Sequence, residues 1–194
     1  MSPSVSESLV PELESLRQQI EDIVADAHKL TAVISQRQFN WQPDPGRWSM
    51  GQCLAHLNVV GEIQLPRIEA SIRRAREQGL VGPGPYHHGF IGNCFVRLTE
   101  PPPRIRFKAP KPMTPPPAES PSKAIFSFFA LQDRIQEQIR RANGVDLGRV
   151  KVASPIADWL HFTLGQSFAL IAGHQRRHLW QAWQIRNDPK FPAS

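Results

Sequence analysis

The chain has 194 residues, 40% of them hydrophobic, and a formal net charge of +6; that size and apolar content predict one globular domain, 1–194, with a sizeable core. Glu7, Glu12, Glu14, Glu21 and Asp22 interrupt the first stretch of the chain, which argues against a secretory leader or an N-terminal membrane span and predicts a cytoplasmic protein. Two cysteines, Cys53 and Cys94, are too few for a disulfide framework; Cys53 stands three residues before His56 and is read as a small core hydrophobe.

Taken in chain order, Leu9, Leu13, Leu16, Ile20, Ile23, Ala27, Leu30 and Ile34 form a helical stripe that needs a partner surface. Pro43, Pro45 and Gly46 end it, and Ser49 is suited to cap a second helix over about 49–78. Met50, Cys53, Leu54, Leu57, Val60, Ile68 and Ile72 face inward on that helix, Pro66 predicts a kink or a break, and His56 falls on a neighbouring face with Gln52, Val59, Val60 and Ile63.

From 79 to 120 the composition turns to glycine and proline, with a short alternating piece at Arg104-Ile105-Arg106-Phe107. Tyr86, Phe90, Ile91, Phe95 and Phe107 make it too apolar for a disordered linker, so the expectation is an ordered, irregular crossover able to lie over the fold as a lid. Ser120 and Pro121 then open a third helix, with Ile125, Phe128, Phe129, Ile135 and Ile139 inward and a stop at Asn143-Gly144. A short helix is expected through Asp158-Trp159-Leu160. Thr163 with Gln166 forms a capping box for a fourth long helix that runs to about Asn187. Its stripe is Leu164, Phe168, Ile171, His174, His178, Ala182 and Ile185. The fold class is therefore all-α, a four-helix bundle with a long Pro/Gly-rich crossover between its second and third helices.

His174 and His178, one helical turn apart, share the inward face, where two imidazoles need partners for their ring nitrogens and would repel if both were protonated. A divalent metal resolves that conflict, and His56 on a second helix makes a third nitrogen ligand, leaving positions open for water or substrate. The candidate ligand set is His56, His174 and His178, and the metals that suit it are zinc, nickel, manganese or iron. The spacing alone is a weak signal, since such pairs also occur as hydrogen-bonded or solvated residues. His161 reads as a loop or capping residue, and His87-His88 as a solvated pair. Gln181, one turn beyond His178, is placed to orient a ligand, whereas Glu62 is out of phase with His56 and reads as solvated.

Trp48-Ser49 followed by Cys53-Leu54-Ala55-His56, the segment Phe107-Lys108-Ala109-Pro110-Lys111-Pro112-Met113, and Leu164-Gly165 leading to Gly173-His174-Gln175-Arg176-Arg177-His178-Leu179-Trp180-Gln181 together resemble the DinB-like (damage-inducible) superfamily. The resemblance spans most of the chain and is most specific in the last helix. It implies a four-helix-bundle metalloprotein, often dimeric, with His56, His174 and His178 as the metal triad and relatives that include bacillithiol S-transferases and mycothiol-dependent maleylpyruvate isomerase. It does not settle the reaction, and no thiol-cofactor pocket is identifiable from the residues.

The leading functional expectation is a divalent-metal-dependent enzyme with an open tri-histidine site, a thiol S-transferase or a hydrolase acting on a small molecule, with a low-molecular-weight thiol as a second cofactor. The rival is a non-catalytic metal-binding stress-response protein in which the metal staples two helices. Arg67, Arg73, Arg74 and Arg76, and the basic run from Arg97 to Lys111, invite a nucleic-acid reading, but no aromatic residues interleave them as on a base-stacking surface; they suit a helix C-terminus, or an acidic or phosphate-bearing small substrate. Trp180 and Trp183 beyond the inward stripe suit a homodimer interface.

Overall fold

The computed structural model describes residues 8–103 and 108–193, so the alternating piece at Arg104-Ile105-Arg106-Phe107 lies outside it. Helix α1 (Pro11–Thr31) starts with proline in its first turn beside Glu12 and Glu14, matching the fixed φ of proline and the positive end of the helix dipole. Leu13, Leu16, Ile20, Ile23, Ala27 and Leu30 are buried. The stripe does not carry on to Ile34: Val33 takes a left-handed φ of 49° and is 96% exposed. A four-residue helix, α2 (Gln36–Phe39), follows, opened by a reciprocal capping box between Ser35 and Gln38, and it places Phe39 in the core.

Helix α3 (Met50–Glu77) opens as expected. The Ser49 hydroxyl accepts the Gln52 N–H at 3.1 Å while the Gln52 side chain accepts the Ser49 N–H at 3.0 Å. Of the kink or break expected at Pro66, the break does not occur: the helix is continuous through it. Glu62, whose carbonyl loses its helical partner there, and Pro66 itself are both exposed, so the proline sits on the outer face of the helix.

The segment 79–120 is not irregular throughout. It contains helix α4 (Phe90–Thr99) and one 3-10 turn (Lys111–Met113). Helix α5 (Pro121–Arg141) buries Phe128, Leu131, Ile135 and Ile139, with Ile125 and Phe129 packed against the core. Ser120 precedes it, but its hydroxyl engages Ser122 at 2.9 Å instead of a backbone N–H. Strands β1 (Lys151–Ala153) and β2 (His161–Thr163) pair antiparallel, with Val152 opposite Phe162. The helix expected at Asp158-Trp159-Leu160 is absent: that stretch is the connection between the strands, closed by Ser154 N–H to Leu160 O (2.7 Å) and Leu160 N–H to Ala157 O (3.0 Å). Helix α6 (Leu164–Arg186) begins at the Thr163–Gln166 capping box and is capped by Asn187, as expected.

The fold is mostly helical, with this small two-stranded sheet. Helix α1 packs on α5 and α6, and α3 packs on the same two, enclosing one continuous apolar cluster. Ion pairs join Glu62 to Arg134 and Glu69 to Arg141, each 72 residues apart; that constant offset means α3 and α5 run in the same direction, which the long connection between them permits. At Gly61 a Cβ would overlap the Leu131 side chain, so glycine lets these two helices close in. Among the described residues no helix is long and apolar enough to cross a membrane.

Candidate metal centre

The Ser49–Gln52 box fixes where α3 begins and thereby sets His56 two turns in. On α6, His174 and His178 lie one turn apart on the face toward α3. The His174 Nε2 atom sits 3.3 Å from His56 Nε2 and 3.1 Å from His178 Nε2, and one ligand atom from each residue lies within 4.8 Å of the others. His56 and His178 are buried, and His174 is half-buried. His56 Nδ1 lies 2.7 Å from the Met113 carbonyl oxygen. A carbonyl only accepts, so Nδ1 carries the proton and Nε2 presents its lone pair to the other two rings.

Burial lowers the pKa of all three imidazoles. For His174 burial, then His56 and Arg177, bring it down to about 3. His178 is held well below the usual histidine range by burial, then by His174, His56 and Arg177, with the Gln181 side chain pulling the other way. His56 is lowered by burial and partly restored by Met113. His178 Nδ1 makes no hydrogen bond of normal geometry, although Gln181 is near enough to favour its protonated form. Three neutral rings thus crowd their nitrogens together where protons cannot relieve them.

A cation fits this donor set. Ligand nitrogens about 2.1 Å from an ion stand about 3.4 Å apart in a tetrahedron and about 3.0 Å apart at adjacent octahedral corners. The 3.1 and 3.3 Å separations about His174 fall between those values, and the third pair also lies within 4.8 Å, so the three histidines could hold one metal ion.

Trp48 walls the cluster, its ring 5.6 Å from His178 at 26° and 4.9 Å from His56 at 49°. Arg177 donates to the Leu98 carbonyl at 3.1 Å, tying α6 beside the triad to the end of α4. Cys53 is fully buried in the core, and burial pushes its thiol well above the usual range; it is a packing residue.

Of the other candidates, Gln181 borders the cluster beside His178, and the rest lie elsewhere. His88 is not solvated: its Nε2–H donates to Glu12 at 2.9 Å, and its Nδ1 accepts the Thr163 hydroxyl at 2.7 Å. His87 is exposed. His161 is an exposed strand residue, not a loop or capping one. Glu62 is a surface partner of Arg134, and Gln181 is half-buried. Trp48, the Met113 carbonyl and Arg177 have no assigned part in the site on the sequence reading, although all three lie within the segments that carry the family resemblance.

A family model for the DinB superfamily matches residues 13–182. The chain belongs to the DinB superfamily. The matched span holds all three histidines, together with α3 and most of α6. Comparison with curated proteins and with solved structures gave no significant match.

Proposed function

We propose that His56, His174 and His178 hold one divalent ion and that this centre serves a reaction of a small molecule, with transfer of a low-molecular-weight thiol as the first candidate and hydrolysis as the second. The observation that carries the reading is the convergence of three neutral imidazole nitrogens 3.1 and 3.3 Å apart, one of them oriented by a backbone carbonyl. When bound, an ion of this kind polarises a small ligand or lowers the pKa of a thiol or water so that it becomes a nucleophile near neutral pH.

The chain's own residues supply the rest. Met113 keeps the His56 proton on Nδ1 and the ring at a fixed angle. Trp48 shields His56 and His178 on one side. The charge of Arg177, felt by both α6 histidines, favours a ligand that arrives as an anion, such as a thiolate. The same reading takes the chain as one cytoplasmic domain, a four-helix bundle of α1, α3, α5 and α6 that works as a homodimer.

The test is metal analysis of the purified protein with His56→Ala, His174→Ala and His178→Ala. Wild-type protein reloaded with zinc, nickel, manganese or iron should hold one ion per chain, and each variant should lose most of it while keeping its helical circular dichroism. Full retention in all three variants would overturn the site. Stripping the ion should leave the fold intact and abolish turnover of a thiol with a small electrophile; a fold that melts on chelation would make the ion a staple between α3 and α6.

A further inference from the structure

A second candidate site lies on α3 far from the histidines. A pocket of about 260 Å³ opens between α3 and β1, lined by Pro66, Arg67, Ala70, Ser71, Arg74 and Ala153. Arg67 is eleven residues beyond His56, about 16 Å along a continuous helix, so the pocket is separate from the triad. Arg67 and Arg74 are two turns apart and share a face. Between them Ala70, Ser71 and Ala153 are small and leave the floor open.

Both guanidinium groups are held in place. Arg67 Nη1 donates to the Ser154 carbonyl and to Asp158 Oδ1, both at 2.8 Å. Arg74 Nη2 donates to Ser71 Oγ at 3.1 Å, and that hydroxyl donates to the Lys151 carbonyl at 3.1 Å. Among the described residues Arg74 has no carboxylate within ion-pair distance. The Asp158 side chain is 87% exposed and comes from the connection between β1 and β2, so Arg67 is neutralised by an oxyanion that a ligand can displace. One guanidinium fork saturates a planar carboxylate; two, approaching from separate points of a helix, suit a tetrahedral oxyanion, while the Ser71 hydroxyl, its hydrogen already given to the Lys151 carbonyl, serves to position Arg74. The volume leaves room for an attached organic group.

We propose that this pocket binds the phosphoryl end of a small phosphomonoester between Arg67 and Arg74, with Asp158 as the internal carboxylate that leaves when the ligand arrives. Trp159, next to Asp158 and 82% exposed, reports the exchange.

The experiment titrates phenyl phosphate, inorganic phosphate and benzoate into the full-length protein at constant ionic strength, read by calorimetry and by tryptophan emission. Phenyl phosphate should bind tightest. Arg67→Gln and Arg74→Gln should each weaken it about tenfold or more, and Asp158→Asn should tighten it several-fold. Trp159→Phe should remove the emission change and keep the calorimetric signal. Arg134→Gln, on another face, and His174→Ala should leave the affinity unchanged. Because Arg67 also ties down Ser154, Ala153→Asp provides a second block that spares that contact, and it should abolish binding. Unchanged affinity in the two arginine variants and Ala153→Asp overturns the proposal. So does equal affinity for benzoate, saturation only at tens of millimolar, loss of binding in His174→Ala, or displacement by a short DNA or RNA with steep salt dependence, which would make the patch a nucleic-acid surface.

Discussion

Metal-free protein should lose stability steeply on the acid side of neutrality, because the fold keeps its clustered imidazoles neutral and unfolding releases them to take up protons. His174 has its pKa at about 3 in the fold, against about 6.5 in an unfolded chain. Between those values the unfolded state binds one more proton at this residue, so stability falls with decreasing pH by up to about 1.4 kcal/mol per pH unit. Above about pH 7 the contribution to the slope vanishes, since the ring is neutral in both states. From pH 6.5 to 4.5 His174 accounts for at most about 2.7 kcal/mol, and its partial exposure brings the measured loss below that ceiling. His178, shifted in the same direction, adds to the slope, as does His56 to a lesser degree. Urea unfolding of chelator-treated protein at pH 7.5, 6.5, 5.5 and 4.5 measures this directly. Wild type should weaken with acid across the window, and His174→Gln with His178→Gln in one chain should flatten the dependence while changing little at pH 7.5. Identical slopes for the two proteins would refute the reasoning, and so would a wild-type stability that rises on acidification.

Phe128 is fully buried at the heart of the apolar cluster, so Phe128→Ala should cost about 3–5 kcal/mol in urea unfolding at pH 7.5. Thr163 both caps α6 and donates to His88; Thr163→Val and His88→Ala should each destabilise, and the double variant should fall short of their sum because the two share a hydrogen bond. Light scattering at rising concentration should give a dimer mass. Trp183 already donates to Asp26 at 2.9 Å within its own chain, so Trp180→Ala should shift the equilibrium toward monomer more than Trp183→Ala does.

The features readable in the sequence are those whose causes are local. The N-cap at Ser49 and the capping box at Thr163–Gln166 mark the starts of α3 and α6 within a residue, because a cap and its partner lie within three positions of each other. The same signal at Ser35–Gln38 was masked by an apolar stripe that runs on to Ile34, for periodicity carries no information about the left-handed turn at Val33. Helix α4 was hidden for the opposite reason. Its ten residues include a glycine and bury little, and it is held from outside by Gln166, which donates to the Gly89 carbonyl at 2.8 Å and to Asn93 at 2.9 Å, contacts that only the folded chain creates.

The candidate metal centre divides along the same line. His174 and His178 could be paired from their spacing, since one helix decides it; adding His56 required assuming that α3 packs against α6. His88 gave no signal of its role, because its partners Glu12 and Thr163 are 76 and 75 residues away. Met113 is the extreme case: it contributes a carbonyl, which every residue possesses, so no side-chain pattern can announce it. The clue lies instead in its neighbours. Pro110 and Pro112 restrict φ on either side of Lys111 and hold the 3-10 turn (Lys111–Met113) in the course that aims the carbonyl at His56. The orientation of His56 therefore rests on the path of the backbone at Met113 more than on that residue's identity.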